Sequence, residues 1–309
     1  MPIRRPDTLQ RAPALRSFCI TAQYRSMTVA AERLGLSQPA VSLHVQTLER
    51  ELGEILFERR GSRLTLTPAG TSLYSLALPV IEALGQLPAH FRAELGRIEG
   101  GEVSIAASGS TLLYLLPRYV ERFAREHPDV DLRLHNVTGR DGLGLLRRDE
   151  ADFALGPMLE VPDDLHYEPM FSFSHVLITP PDHPLSKLKA PTPADIAPYP
   201  LITPPHHGVT ADMIDAMFRL AGVRYRVALE TGGWDVIKRY VSLGLGCAIV
   251  SGVCLQPDDK LPGFRMDPWL APRTYGIVVR RGKFLAPAPG RFIEMLKPEP
   301  LAMPWLSSL

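Results

Sequence analysis

Three groups of residues carry side chains and spacings suited to recognition chemistry. The first is Ser37, Gln38, Pro39, Ala40, Ser42 and His44, at the head of an apolar-periodic segment that runs to Leu52. A helix there turns Val41, Val45 and Leu48 inward and leaves Ser37, Gln38, Ala40 and Ser42, with His44 further along, facing outward from its N-terminal turns. Gln bonds an adenine edge bidentately, Ala packs on a thymine methyl, and Ser hydroxyls bond bases or phosphates, so the chemistry is that of reading a DNA major groove. The second group is Arg59, Arg60 and Arg63, within Phe57–Thr67, which reads as two short strands around a basic turn. Guanidinium groups on such a wing neutralise phosphates or enter a minor groove. The third is Ser108-Gly109-Ser110-Thr111, directly after the strand-like Val103–Ala107. Hydroxyls and a glycine at a strand end that leads into a helix suit close approach to an anion, and equally a plain N-capped turn. Asn136, Thr138 and Thr203 follow or end further strand-like segments; they either close the same pocket from other sides or cap their own loops.

The elements that must position these groups are legible in outline. Leu15, Phe18, Cys19 and Ala22 form one apolar helical stripe, Thr28–Leu34 a short helix, Gly35-Leu36-Ser37 a tight turn and Gln38–Leu52 a second helix. Ala30 and Ala31 allow close helix contact, Gly35 suits a left-handed turn, Ser37 suits an N-cap, and Pro39 fits the first helical turn. The expected organisation is a flexible leader over residues 1–14, with Pro2, Pro6 and Pro13, and a winged helix-turn-helix over 15–70. A linker helix over 71–99 follows, in which Leu73, Leu76, Val80, Leu84, Leu87 and Phe91 repeat at heptad-like spacing and call for a partner helix, while Pro79 and Pro88 predict bends.

Gly100-Gly101 marks a boundary, after which the texture becomes α/β. Val103–Ala107, Asp131–His135 and Asp152–Leu155 read as strands, with a helix over Leu112–Glu126, which predicts a parallel sheet. The proline-rich tract Thr179–Pro205 is expected to separate this lobe from a second one. That second lobe contains the helix Val209–Ala221, a strand at Arg226–Leu229, the helix Trp234–Leu243 and a strand at Cys247–Val250. A strand at Tyr275–Val279 and a helix at Pro289–Leu296 return to the first lobe, giving lobe I about 101–175 and 273–300 and lobe II about 176–272, within a domain of 101–309.

Composition narrows the class. With 309 residues, 45% hydrophobic and 22% charged, the chain has enough apolar side chains for two or three cores. The formal charge of +1 conceals an asymmetry: residues 1–70 hold ten Lys/Arg against six Asp/Glu, and the remainder is net acidic. A basic head on an acidic body is the pattern of a nucleic-acid module joined to another domain. No apolar stretch follows Arg4-Arg5 as in a secretory signal, and the apolar run Val241–Leu255 falls short of the roughly 20 residues a membrane span needs, so a cytoplasmic protein with no membrane partner is expected.

Ala30-Ala31-Glu32-Arg33-Leu34, Leu36-Ser37-Gln38-Pro39-Ala40-Val41-Ser42, Leu48-Glu49-Arg50-Glu51-Leu52-Gly53, Leu56-Phe57-Glu58-Arg59 and Leu66-Thr67-Pro68-Ala69-Gly70 together resemble the signature of LysR-type transcriptional regulators. Leu43 departs from it, standing where many members carry Arg or Lys. Looser landmarks continue in Leu115-Leu116-Pro117, His127-Pro128, Asp152–Gly156 and Gly244-Leu245-Gly246, and Trp234–Val241 is similar to the CysB-like branch. The resemblance implies a C-terminal, two-lobed periplasmic-binding-protein-like (type 2) α/β effector domain. It implies dimers that pair into tetramers, double-stranded promoter DNA and RNA polymerase as partners, and a small anionic metabolite as effector rather than a cofactor.

Rival chemistries are weaker. Cys19, Cys247 and Cys254 show no CxxC spacing; Cys247 and Cys254 are the residues a redox-responsive regulator would use, but Cys247 sits in an apolar strand, where a free thiol packs as a small hydrophobe. His206-His207 lacks a neighbouring ligand set, so no metal site is expected. No nucleophile elbow, phosphate loop or HExxH occurs, which disfavours an enzyme; a solute-binding protein would carry an export signal in place of a DNA head.

Overall fold

The computed structural model describes residues 11–60, 63–95, 100–137, 139–158, 160–206 and 209–296. Thr138, His207, most of the leader and the wing tip Gly61-Ser62 lie outside the described residues, as do the side chains of Arg60 and Arg63. The chain divides into two compact units, one comprising residues up to 99 with Arg280–Pro287, the other Gly100–Val279 with the segment from Ala288 onward.

The first unit contains α1 (Ala12–Tyr24), α2 (Met27–Leu34), α3 (Gln38–Leu52), the hairpin β1 (Phe57–Arg60) and β2 (Arg63–Leu66), and α4 (Pro68–Glu94). Its core gathers Phe18, Cys19, Val45, Leu48, Leu56, Phe57, Ala77 and Leu78, all buried. The rings of Phe18 and Phe57 meet at 5.4 Å, so the wing and the first helix share one core. Each such large side chain contributes about 1.5–3 kcal/mol by leaving water.

The linker helix runs unbroken through Pro79 and Pro88. Each proline deletes one backbone donor, and burial of Ala77 and Leu78 on the core just before Pro79 holds the helix on course. Its two faces differ. Leu73, Tyr74, Ala77, Leu78 and Ile81 pack on the core, whereas Leu76, Val80, Leu84, Leu87, Phe91 and Leu95 are exposed. The segment 280–287, read from the sequence as part of lobe I, packs instead beside α4. Arg280 pairs with Glu82, His90 Nε2 lies 2.9 Å from the Leu285 carbonyl, and the His90 and Phe284 rings meet edge-on at 4.8 Å.

The second unit is built on a five-stranded sheet in the order β4-β3-β5-β12-β6, from β3 (Glu102–Ala107), β4 (Asp131–Asn136), β5 (Phe153–Pro157), β6 (Leu165–Phe173) and β12 (Arg273–Arg280). β3 is parallel to β4 and β5, but β12 returns antiparallel to β5, so the sheet is mixed rather than parallel throughout. The expected helix Leu112–Glu126 divides into a π-helical turn, Thr111–Leu115, and α5 (Pro117–Glu126), because Pro117 has no N–H to continue the ladder. α6 (Gly139–Arg147) crosses from β4 to β5.

The second lobe holds β7 (His175–Ile178) between β10 (Ala248–Ser251) and β11 (Gly263–Arg265), with β8 (Pro200–Thr203) parallel to β9 (Arg226–Glu230). A parallel bridge from Leu201 to Cys247 joins the two strand sets. The helices α7 (Pro193–Ile196), α8 (Val209–Leu220) and α9 (Trp234–Ser242) belong to this lobe, and α10 (Pro287–Leu296) buries Phe292 against Phe123 and Phe153 of the first. The proline-rich tract Thr179–Pro205 is no spacer: Leu185, Ile196 and Leu201 from it lie in the lobe II core. Among the described residues no helix is long and apolar enough to cross a membrane.

Candidate nucleic-acid interface and ligand site

Local chemistry fixes the head. Ser26 caps α2 by accepting from Val29 N, Gly35 ends it in the left-handed region at φ 64°, and Ser37 caps α3 by accepting from Ala40 N at 3.4 Å. Ala30, Ala31 and Val41 are buried where the two helices touch. Around the start of α3, Ser37, Gln38 and Pro39 are exposed, while Ala40 and Ser42 are half-buried. Gln46 reaches back to the Ser42 hydroxyl at 3.5 Å.

His44 is placed differently from its neighbours. Its Nδ1 lies 2.7 Å from the hydroxyl of Ser17, a buried residue of α1, so the ring leans towards the first helix. The wing pairs Phe57 with Leu66 and Arg60 with Arg63, and Arg59 is exposed on it. Glu49 holds this hairpin to the recognition helix: its Oε1 accepts from Leu56 N at 2.8 Å and from Phe57 N at 3.4 Å. Gly70 closes the same corner, since a Cβ there would stand 2.1 Å from the Leu56 carbonyl oxygen. Glu49 and Gly70 stand in the signature segments, but their structural roles, and that of Ser17, were not read from the sequence because their partners lie 7 to 27 residues away.

In the second unit, β3 delivers Ser108 to the start of the π-helical turn. The Ser108 hydroxyl lies 3.1 Å from the Thr111 hydroxyl and accepts from Thr111 N at 3.4 Å, so it caps the turn, and Thr111 is buried beneath it. A Cβ on Gly109 would stand 3.5 Å from Asn136 Oδ1, which brings the end of β4 beside the Ser108–Thr111 loop. Ser110 is half-buried. Thr203 ends β8 in the other lobe, and its buried hydroxyl has no hydrogen-bond partner among the described residues.

The lobes meet close to this loop. Tyr114, in the π-helical turn, packs on the apolar cluster of Val176, Ile237 and Val250 in lobe II. Lys238 Nζ sits 4.8 Å from the centre of the Tyr114 ring and donates to Asp259 at 2.7 Å and to the Cys254 carbonyl at 2.7 Å. Burial pushes the Tyr114 hydroxyl above its usual range, with Cys254, Asp235 and Asp259 adding to the effect.

The thiols are unsuited to ready ionisation. Burial pushes Cys247 up to about 12, and burial likewise dominates the rise of Cys254 to about 12. They belong to different core clusters. His206 Nε2 lies 3.2 Å from Glu230 and its Nδ1 3.9 Å from Asp215, an exposed cluster of polar groups.

Residues 13–71 match the family model described as bacterial regulatory helix-turn-helix protein, lysR family, and residues 96–300 match the LysR substrate binding domain. The chain is 34% identical over 238 residues to the HTH-type transcriptional regulator CysB of Haemophilus influenzae, covering 76% of this chain and 73% of that protein. It is 31% identical over 293 residues to the RuBisCO operon transcriptional regulator of Allochromatium vinosum, covering 94% and 96%. Among solved structures, the cofactor-binding domain of the Cbl transcriptional regulator superposes with a TM-score of 0.59 at 29% identity, covering 64% of this chain and 88% of that one. A capped helix-turn-helix with its wing, followed by the two-lobed domain and matched by both models, establishes that the chain belongs to the LysR family of transcriptional regulators.

Proposed function

We propose that this regulator's grip on promoter DNA is set by a small polar oxyanion held between its C-terminal lobes, at Ser108–Thr111, Asn136 and Thr203. The observation that carries this reading is the buried Thr203 hydroxyl, which has no hydrogen-bond partner among the described residues and lies at the carboxyl end of a parallel strand. Leaving such a group unmet costs about 1–3 kcal/mol, and ligands of α/β lobes bind beyond strand carboxyl ends. Hydroxyl and amide donors suit a ligand that is anionic yet readily released. Thr138, which follows β4, belongs to the same reading.

The exposed stripe Leu76, Val80, Leu84, Leu87 and Phe91 serves as a dimer seam, placing two recognition helices on successive major grooves of a dyad-symmetric site. Leu73 contributes to its own chain's core instead. The test is calorimetric titration of the full-length protein with inorganic sulfate and other small oxyanions. One of them is expected to bind, and Thr203→Val to weaken it at least tenfold with DNA affinity of the ligand-free protein unchanged. Equal affinity of the variant would remove Thr203 from the site.

A further inference from the structure

The outer face of α3 carries one residue that the hydrogen-bonding groups around it leave unexplained. Leu43 is 57% exposed in the middle of the recognition helix. It lies two residues from both Val41 and Val45, the buried positions, and is therefore about 200° around the helix from each. Its side chain cannot turn back into the core. The exposed Pro39 stands one turn earlier and the exposed Gln46 three residues later, so Leu43 is the apolar crest of the outward face it shares with them, about 100° around the helix from Ser42 and 140° from Gln38.

An isobutyl group makes no hydrogen bond to a base edge and no ion pair with a phosphate. In a B-form major groove the apolar feature is the thymine 5-methyl, which distinguishes T·A from every other pair where polar donors and acceptors are not used. Pro39 and the half-buried Ala40 extend the apolar strip one turn towards the helix N-terminus. We propose that Leu43 is a specificity-determining residue that reads a thymine methyl in each half-site, between bases read by the polar residues on either side of it. The inference rests on the DNA-reading role of α3. It gives this helix a mixed code, with polar readout from its first turn and methyl readout from its centre.

The experiment uses the full-length protein and a duplex site selected from random sequence. Each thymine is replaced singly by deoxyuridine, which removes only the 5-methyl, and the dissociation constant is measured at fixed salt. At one position per half-site, wild type is expected to lose about fourfold in affinity, the worth of one buried methyl-sized group. Leu43→Ala is expected to bind the thymine and deoxyuridine duplexes equally, with an unchanged salt slope because no phosphate contact is lost. Circular dichroism of Leu43→Ala checks that α3 persists. Sequence-preferring binding with no deoxyuridine effect that depends on Leu43 would overturn the proposal, as would a loss of self-association in Leu43→Ala with thymine preference intact. Absence of any sequence preference in wild type would overturn the DNA-reading role of α3 along with it.

Discussion

Glu49 Oε1 accepts the backbone N–H of Leu56 at 2.8 Å, and so fixes the entry to the wing from the far end of the recognition helix. Gly53 ends α3 with a left-handed residue at φ 72°, and without the Glu49 carboxylate the chain between Gly53 and Phe57 would lose its anchor to the helix. Glu49→Ala leaves two wing-entry N–H groups without their acceptor and is expected to cost about 1–3 kcal/mol of stability. Glu49→Gln keeps an oxygen acceptor and should recover most of it. Thermal unfolding together with duplex affinity checks this; equal melting of Ala and Gln variants would show that the bond is dispensable.

Reading and anchoring contacts should separate experimentally. Gln38 is exposed in the first turn of α3, and Arg59 is exposed on the wing. Gln38→Ala is expected to relax preference at one base pair by about 1–3 kcal/mol while leaving the salt slope alone. Arg59→Ala should weaken binding to all sequences alike and flatten the plot of log K against log salt by about 0.9, the signature of one lost phosphate contact. Arg63 and Arg60, on the same hairpin, are expected to behave as Arg59 does. Gel-shift titrations over a range of salt distinguish the two; identical behaviour of Gln38→Ala and Arg59→Ala would abolish the distinction.

The head was legible from sequence because its signals are local: a left-handed glycine at 35, a serine cap at 37 and a proline in the first turn. What escaped depends on distant partners. The heptad spacing grouped Leu73 with Leu76 and Val80, yet spacing alone cannot tell which face the chain's own core will claim, and Leu73 went to that core. β6 was missed because Pro169 interrupts it and its burial does not alternate regularly; as the last strand of the sheet it tolerates a proline that a central strand would not. The proline-rich tract misled for a related reason, since Pro184 and Pro193 begin short helices and Pro200 a strand that packs into lobe II. In the candidate ligand site, the Ser108 cap was readable, whereas the lack of a partner for Thr203 among the described residues is a property of the folded lobe.

The cysteines make alkaline stability measurable. Burial raises Cys19, Cys247 and Cys254 from 9.0 to about 12, with Glu82 adding to the shift of Cys19. In the unfolded chain these thiols ionise near pH 9, while the folded state keeps them neutral. Their contribution to stability is therefore complete below pH 9 and is lost as pH rises towards 12, by at most about 1.4 kcal/mol per pH unit for each cysteine. Denaturant midpoints measured between pH 8 and 11 should fall, and less steeply in Cys247→Ala than in wild type. Alkylation by iodoacetamide at pH 8 should be slow in the native protein and fast in urea. Rapid native alkylation would instead revive a redox role for Cys247 and Cys254.

Tyr114 and Lys238 give the lobes a direct contact one turn beyond the Ser108–Thr111 loop. Because the ring sits in a π-helical turn that Ser108 caps, a shift of that loop on ligand binding would move the ring against lobe II. Replacing Lys238 by Met leaves Asp259 without its cation while Gln256 N still donates to it, which is expected to destabilise the domain by about 1.5–3 kcal/mol. Tyr114→Leu keeps apolar volume but removes the ring face from the ammonium. That variant should fold, and it should bind oxyanion with altered affinity because the energy difference between open and closed lobes has changed. A double-mutant cycle on oxyanion affinity, using Tyr114→Leu and Lys238→Met, isolates the pair; additive effects would mean that the two residues act separately, and coupling above about 0.5 kcal/mol would mean that the contact sets lobe closure.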